Sequence, residues 1–349
     1  MADVPKYTVQ NYIVSSPLEE DQDALFHVRR NGKACYIEMK PAFFINSPNT
    51  FRKYLSHLHL LWSGEEVIGN LHDTDVFDWV MSPYLQLLTD LAPPVAGEPS
   101  EISTSLQNSL FPEFFVFHTY VIDEELSPRR IVAAGRPLLP STTRFEDDFL
   151  DELETWTVLY DPVGICPVFE NPEEALYKEP RRVMIRNGTA ECFFKRCHST
   201  AEAIRELKTY KAIADAGLDN LELNIGRVHG VVMDDGDFVL GILLSYIDCG
   251  DVSLSCRIVP DDADDPPQHV RRAWMQQLED GVKALHAAGI VWGDVKSENV
   301  LIDRSNNAWI TDFGGGYTRG WVDKELAGTV EGDLMGVAKI RQLLFPSEI

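Results

Sequence analysis

The sequence predicts an α+β protein of two domains, on three observations. Alternating apolar segments flank Asn-Gly and Asp-Gly pairs, as antiparallel hairpins require. Between them lie longer segments whose apolar residues recur at helical spacing. The character of the chain changes between residues 140 and 160, which sets the expected domains at 1–155 and 156–349.

The first domain opens with the strand-like KYTVQNYIV and then ALFHVRRNGKACYIEM, whose Asn31-Gly32 pair is a hairpin turn. TFRKYLSHLHLLW predicts a helix with Phe51, Leu55, Leu58 and Trp62 on one face. DVFDWVMSPYLQLLTDLA predicts another, broken near Pro83, and the Pro- and Ser-rich stretch from Pro93 to Leu110 is a connection. EFFVFHTYVID and RRIVAAGRPLL have strand character. Nothing in this domain ties it to a chemistry.

The second domain is more informative. RRVMIRNGTAECFFKRC predicts two strands about an Asn187-Gly188 turn. In STAEAIRELKTYKAIADAGL, Ser199 and Glu202 form a capping box, Ile204, Leu207, Tyr210 and Ile213 a buried stripe, and Gly217 a stop. IGRVHGVVMDDGDFVLGILLSYI is a hairpin turning at Asp235-Gly236. PQHVRRAWMQQLEDGVKALHAAG is a long helix with Val270, Trp274, Leu278, Val282 and Leu285 inward. NVLID and AWIT bracket a turn at Asn306-Asn307.

Composition excludes several classes. A net charge of −24 repels polyanions, which argues against nucleic acid and anionic membranes as partners. The acidic run from Pro260 to Pro267 reads as a solvated loop. No segment of about 18 apolar residues and no secretory leader is present, so the expected location is cytoplasmic. The six cysteines lack zinc or disulfide spacing and read as reduced, packed thiols. His198 beside Cys197 points to the opposite strand face, and His229 and His286 read as core or rim residues rather than ligands. Neither a serine nucleophile elbow nor a zinc-protease helix motif occurs.

One constellation carries chemistry. Lys195 ends the strand CFFK; Glu206 lies on the next helix; GIVWGDVKSENVLID holds Asp294, Lys296 and Asn299 in D-x-K-x-x-N spacing; TDFGG follows with Asp312. Phosphoryl transfer needs a cation on the phosphates, oxygen ligands for magnesium and a carboxylate beside the attacking hydroxyl. In this order the motifs resemble the protein-kinase-like superfamily, over somewhat more than half of the chain.

The resemblance implies a bilobal kinase-like fold with a shortened C-lobe after a separate α+β N-terminal domain, and it is similar to abbreviated fungal kinase-like proteins. It implies ATP and Mg2+ as cofactors. Lys195 would meet the α- and β-phosphates, paired with Glu206; Ser245 and Ile247 would complete nucleotide binding. Asp294 would accept the hydroxyl proton, Lys296 would steady the γ-phosphate, and Asn299 and Asp312 would hold magnesium. Asp333 matches the aspartate that bonds back to the catalytic loop, and a phosphotransferase acting on a protein hydroxyl or a small molecule is the expected activity.

Four features depart from the pattern. Trp292 stands where such loops carry histidine, so the loop's brace is expected from packing or elsewhere. Gly293 replaces the arginine that reads a phosphorylated activation segment. No G-x-G-x-x-G precedes Lys195, and no A-P-E closes the segment after Asp312. These departures leave two alternatives: a pseudokinase that binds nucleotide as a scaffold, and a kinase-like scaffold recruited to adenylyl transfer or tRNA-dependent peptide-bond formation.

Overall fold

A computed structural model describes residues 7–18, 21–94, 105–132, 135, 143–185, 190–218, 223–250, 252–258, 265–318 and 320–346. The chain divides into two compact units, Met1–Leu139 with Pro162–Arg186, and Pro140–Asp161 with Asn187–Ile349. Helices and strands mix in both, so the α+β class holds.

In the first unit, strands Thr8–Val14, Ala24–Arg30, Lys33–Met39, Phe114–Ile122 and Phe44–Ile45 lie in that order, and Glu125–Ile131 also pairs with Phe114–Ile122. Asn31 and Gly32 both take positive φ, 47° and 74°, which is the twist a two-residue hairpin needs. Helices Pro48–Ser63, Asp73–Met81 and Leu85–Leu91 share one apolar core with the sheet through Tyr54, Leu58, Val76, Val80 and Leu88. The break at Pro83 falls between the last two helices, as expected.

Two expectations shift. The first helix buries Tyr54, His57, Leu58 and Leu61, while Trp62 is exposed. Counting apolar rings overlooked Tyr54, whose hydroxyl donates to Gln22 O at 2.6 Å and so lets the ring go inward. The strand expected over RRIVAAGRPLL instead runs from Glu125 to Ile131; residues 133–134 and 136–139 lie outside the described residues. It starts early because Asp123 and Glu124 form a left-handed turn, and the Glu124 carboxylate accepts from Asn49 N and Thr50 N at the mouth of the first helix.

In the second unit, Glu191–Arg196 pairs antiparallel with Val239–Ser245, which pairs antiparallel with Val228–Met233, and Leu159–Tyr160 joins the latter in parallel. Helices Thr200–Asp215, Gln268–Ala287 and Val330–Leu344 and the hairpin Val300–Ile302/Ala308–Ile310 share one core built on Leu207, Trp274, Leu278, Trp292, Ile310 and Ile340. Ser199 caps the first of these helices by accepting from Glu202 N, and Gly217 ends it at φ 67°. Ile204 and Val270 are only half-buried at the edges of their stripes.

The loop turns at Asp235-Gly236 as expected: Asp237 N donates to Asp234 O at 3.1 Å, Asp234 Oδ1 accepts from Gly236 N and Phe238 N, and Asp237 follows at φ 61°. The other turn lies at Arg304-Ser305, two residues before the expected Asn306-Asn307: Asn306 N donates to Asp303 O at 3.0 Å and Asn306 follows at φ 61°, with Asp303 Oδ1 accepting from Asn307 N. The Asn187-Gly188 turn, residues 260–264 of the acidic run and residues 95–104 of the Pro/Ser connection lie outside the described residues. All six cysteines are free thiols, and Cys256 alone among them is exposed. No helix among the described residues is long and apolar enough to cross a membrane.

Candidate active site

Lys195 projects from the end of the strand Glu191–Arg196, where backbone approaches backbone closely. A Cβ on Gly241 of the neighbouring strand would stand 2.5 Å from Lys195 O, so only glycine fits there. From this position the Lys195 ammonium reaches both oxygens of Glu206, at 2.9 and 2.8 Å, and Asp312 Oδ1 at 2.8 Å. Glu206 is buried in the helix Thr200–Asp215, whereas Glu202 faces solvent.

Burial alone would lower the Lys195 pKa, but the carboxylates of Glu206 and Asp312 outweigh it and raise it. Burial dominates at Glu206 and lifts its carboxyl against the pull of Lys195. At Asp312 burial also works upward, yet Lys195, the Gly314 N–H and Lys296 together hold the carboxyl below its ordinary value. The ion pair therefore keeps charge on Asp312, the more exposed of the two carboxylates.

A second cluster forms on the loop after the long helix Gln268–Ala287. Lys296 Nζ donates to Asp294 Oδ2 at 2.7 Å and to Thr318 Oγ1 at 3.2 Å, and the Thr318 hydroxyl donates to Asp294 Oδ1 at 3.1 Å. Asn299 Nδ2 donates to Asp294 O and Oδ2 at 2.9 and 3.0 Å, which leaves the amide oxygen of Asn299 as its remaining acceptor. Lys296 thus binds Asp294 and Thr318.

The brace beneath this loop comes from Trp292 itself. Its ring is buried and its indole N–H donates to Thr311 O at 2.9 Å, tying the loop to the residue before Asp312. Asp333, buried in the helix Val330–Leu344, accepts from Trp292 N and Gly293 N, both at 2.8 Å, and pairs with His286 Nε2 at 2.8 Å. Gly293 sits at φ 86°, a conformation that glycine adopts without strain. Gly336 leaves room for the loop, since a Cβ there would come within 2.6 Å of Val295 Cβ.

Ser245 and Ile247 are placed differently. Ser245 lies opposite Cys192 at the end of its strand, its N–H donating to Arg227 O, and the nearly buried Ile247 accepts from Cys249 N. Their hydrogen bonds stay at this strand end and do not enter the Lys195 group. Sequence reasoning missed Thr318, His286 as a partner of Asp333, and Arg205. Only contacts between distant segments mark them, and no periodicity signals those.

Residues 195–326 match the model of the protein kinase domain. This part of the chain resembles the protein-kinase-like superfamily. Over 52 residues, 15% of the chain, it is 44% identical to the serine/threonine-protein kinase PKH3 of Eremothecium gossypii. Over 73 residues, 21% of the chain, it is 41% identical to the serine/threonine-protein kinase grp of Drosophila melanogaster. Over 47 residues it is 47% identical to CBL-interacting protein kinase 1 of rice. The matches span 7%, 14% and 10% of those relatives' lengths, so the likeness is confined to a segment of each.

The donor set suits magnesium better than a metal that needs a closed protein cage. Among the described residues no group of three or more His, Cys, Asp and Glu side chains is arranged to hold a metal alone. Magnesium is usually held by one or two carboxylates together with phosphate oxygens and water. Asp312 and the amide oxygen of Asn299 meet that requirement.

Proposed function

We propose that the chain is a phosphotransferase that uses ATP and magnesium and transfers the γ-phosphoryl group to a hydroxyl of a protein or small molecule. The observation that carries the reading is the Lys195–Glu206–Asp312 ion-pair cluster, present together with a second bonded cluster of Asp294, Lys296 and Asn299. ATP with magnesium supplies the transferable group and neutralises its charge.

The chain's own residues do the rest by positioning and by fixed charge. Glu206 holds the Lys195 ammonium at the strand end, where it meets the nucleotide phosphates. Asp312 and Asn299 offer oxygens to the metal. Asp294 takes the proton of the acceptor hydroxyl, and Lys296 and Thr318 fix the orientation of its carboxylate. Trp292 and Asp333 keep that loop in place from below. Ser245 and Ile247 belong to nucleotide binding in this reading. Residues 1–155 act on the acceptor or cover the core, and the free thiols fit a cytoplasmic location.

The missing glycine-rich sequence before Lys195 favours a second reading, a pseudokinase that binds nucleotide without transfer. The two separate in one assay: transfer of labelled γ-phosphate into a fractionated cell extract. A phosphotransferase labels protein or metabolite, and Asp294→Asn lowers the rate by about 10²–10⁴-fold while the protein stays folded. A pseudokinase labels nothing, and Asp294→Asn changes nothing.

A further inference from the structure

Arg205 immediately precedes Glu206 on the helix Thr200–Asp215. Its Nη1 donates to Gly314 O at 3.0 Å. Its side chain also lies across Gly315: a Cβ there would stand 3.1 Å from Arg205 Cδ and 3.2 Å from Nη1. Two successive helix residues therefore hold one short loop. Glu206 does so through Lys195 to the side chain of Asp312, and Arg205 does so directly through the backbone two residues later.

The loop needs such a hold. Asp312 sits at φ 62°, a left-handed conformation that costs a non-glycine residue free energy unless its surroundings maintain it. Three glycines follow it, Gly314 to Gly316, and Gly315 is also left-handed at φ 67°. Glycine backbone has the greatest conformational freedom to lose. The same segment then reaches the second cluster, where a Cβ on Gly316 would lie 3.6 Å from Asp294 Cγ and Thr318 bonds Asp294 and Lys296. Seven residues, 312–318, thus carry Asp312 at one end and a partner of Asp294 at the other.

We propose that Arg205 is a positioning residue that latches the 312–318 loop to the helix bearing Glu206, holding Asp312 in its left-handed conformation. A guanidinium has five donors in a rigid fork, so it binds this carbonyl while its side chain lies against Gly315. Gly315 is the matching half of the latch, because its missing Cβ is the space that Arg205 fills.

The proposal's activity arm rests on the phosphotransferase reading; its structural arm does not. The structural test is hydrogen–deuterium exchange of the full chain over residues 313–318. Arg205→Ala should speed exchange there about tenfold, the scale of one charge-assisted hydrogen bond. Arg205→Lys, which keeps the charge but not the planar fork, should recover part of the lost protection. The melting temperature should stay within about 1 °C, since Arg205 is exposed and its loss opens no core.

In the activity arm, Arg205→Ala should raise the magnesium concentration for half-maximal transfer about 5–10-fold, and Arg205→Lys should recover part of that loss. Unchanged exchange at residues 313–318 in Arg205→Ala would overturn the latch. A wild-type protein that transfers no phosphate would defeat the phosphotransferase reading, and the exchange result would still decide the latch.

Discussion

The two units bury polar groups to different ends. In the second unit, the deeply buried Glu206, Asn299 and Asp333 are bonded to Lys195, Asp294 and Trp292 respectively. In the first unit, the buried Arg30 and His57 each keep one nitrogen, Nη1 and Nδ1, without a hydrogen-bond partner. The first pattern is a network in which every removal strands a neighbour. The second is a set of separate costs. Buried polarity by itself is therefore no guide to function; its connection to other groups is what distinguishes a site.

The comparison is broken most sharply by removing Asp333. Asp333→Ala strands the N–H groups of Trp292 and Gly293 and leaves His286 unpaired, which should destabilise the protein by about 3–5 kcal/mol in a denaturant titration. A loss under about 1 kcal/mol would mean that the loop is held by packing alone.

His57 gives the opposite case. Burial, then the charge of Lys53, lowers its pKa from 6.5 to about 4, against a smaller upward pull from Asp75. The folded state thus prefers the neutral ring, and between pH 6.5 and 4 the unfolded chain binds more protons. Stability from this group is complete above about pH 6.5 and declines as pH falls towards 4, by roughly 3 kcal/mol in all. His57→Phe should remove that decline and cost little at neutral pH, because the ring's contact with Trp79 is kept and an unpaired nitrogen is lost. Thermal melts across this pH range of wild type and variant test it, and parallel curves would refute it.

The smallest effect belongs to Tyr210, which sharpens the contrast within the second unit. Its ring packs edge-on against Phe313 at 5.1 Å, but its buried hydroxyl has no hydrogen-bond partner. Tyr210→Phe keeps the ring pair and should be neutral or stabilising by up to about 1 kcal/mol. A clear destabilisation in the melt would show that the hydroxyl serves the loop.

Much of this was legible in the sequence, for stated physical reasons. The Asn31-Gly32 turn and the Ser199 cap are local signals, and each formed where it was read. Lys195, Glu206, Asp294, Lys296, Asn299 and Asp312 were legible through the order and spacing of the motifs. What the sequence did not reveal depends on contacts between distant segments. Glu124 caps a helix 75 residues away, and so moved a strand boundary. At Trp292 the sequence shows that the usual histidine is replaced and that the brace must come from packing or elsewhere; only the fold brings Thr311 O within reach of its indole N–H. Thr318 and Arg205 lie in no periodic pattern, and only the closure of the 312–318 loop gives them partners.

The central claim, that the bonded group around Lys195 and Asp312 is a magnesium-nucleotide site, is tested most directly by calorimetric titration of ATP into the full chain with and without magnesium. The account predicts that magnesium strengthens binding, and that Asp312→Asn removes that gain, by at least about tenfold, without lowering the melting temperature. Binding that ignores both magnesium and Asp312→Asn, or no binding by the folded wild type, would contradict it.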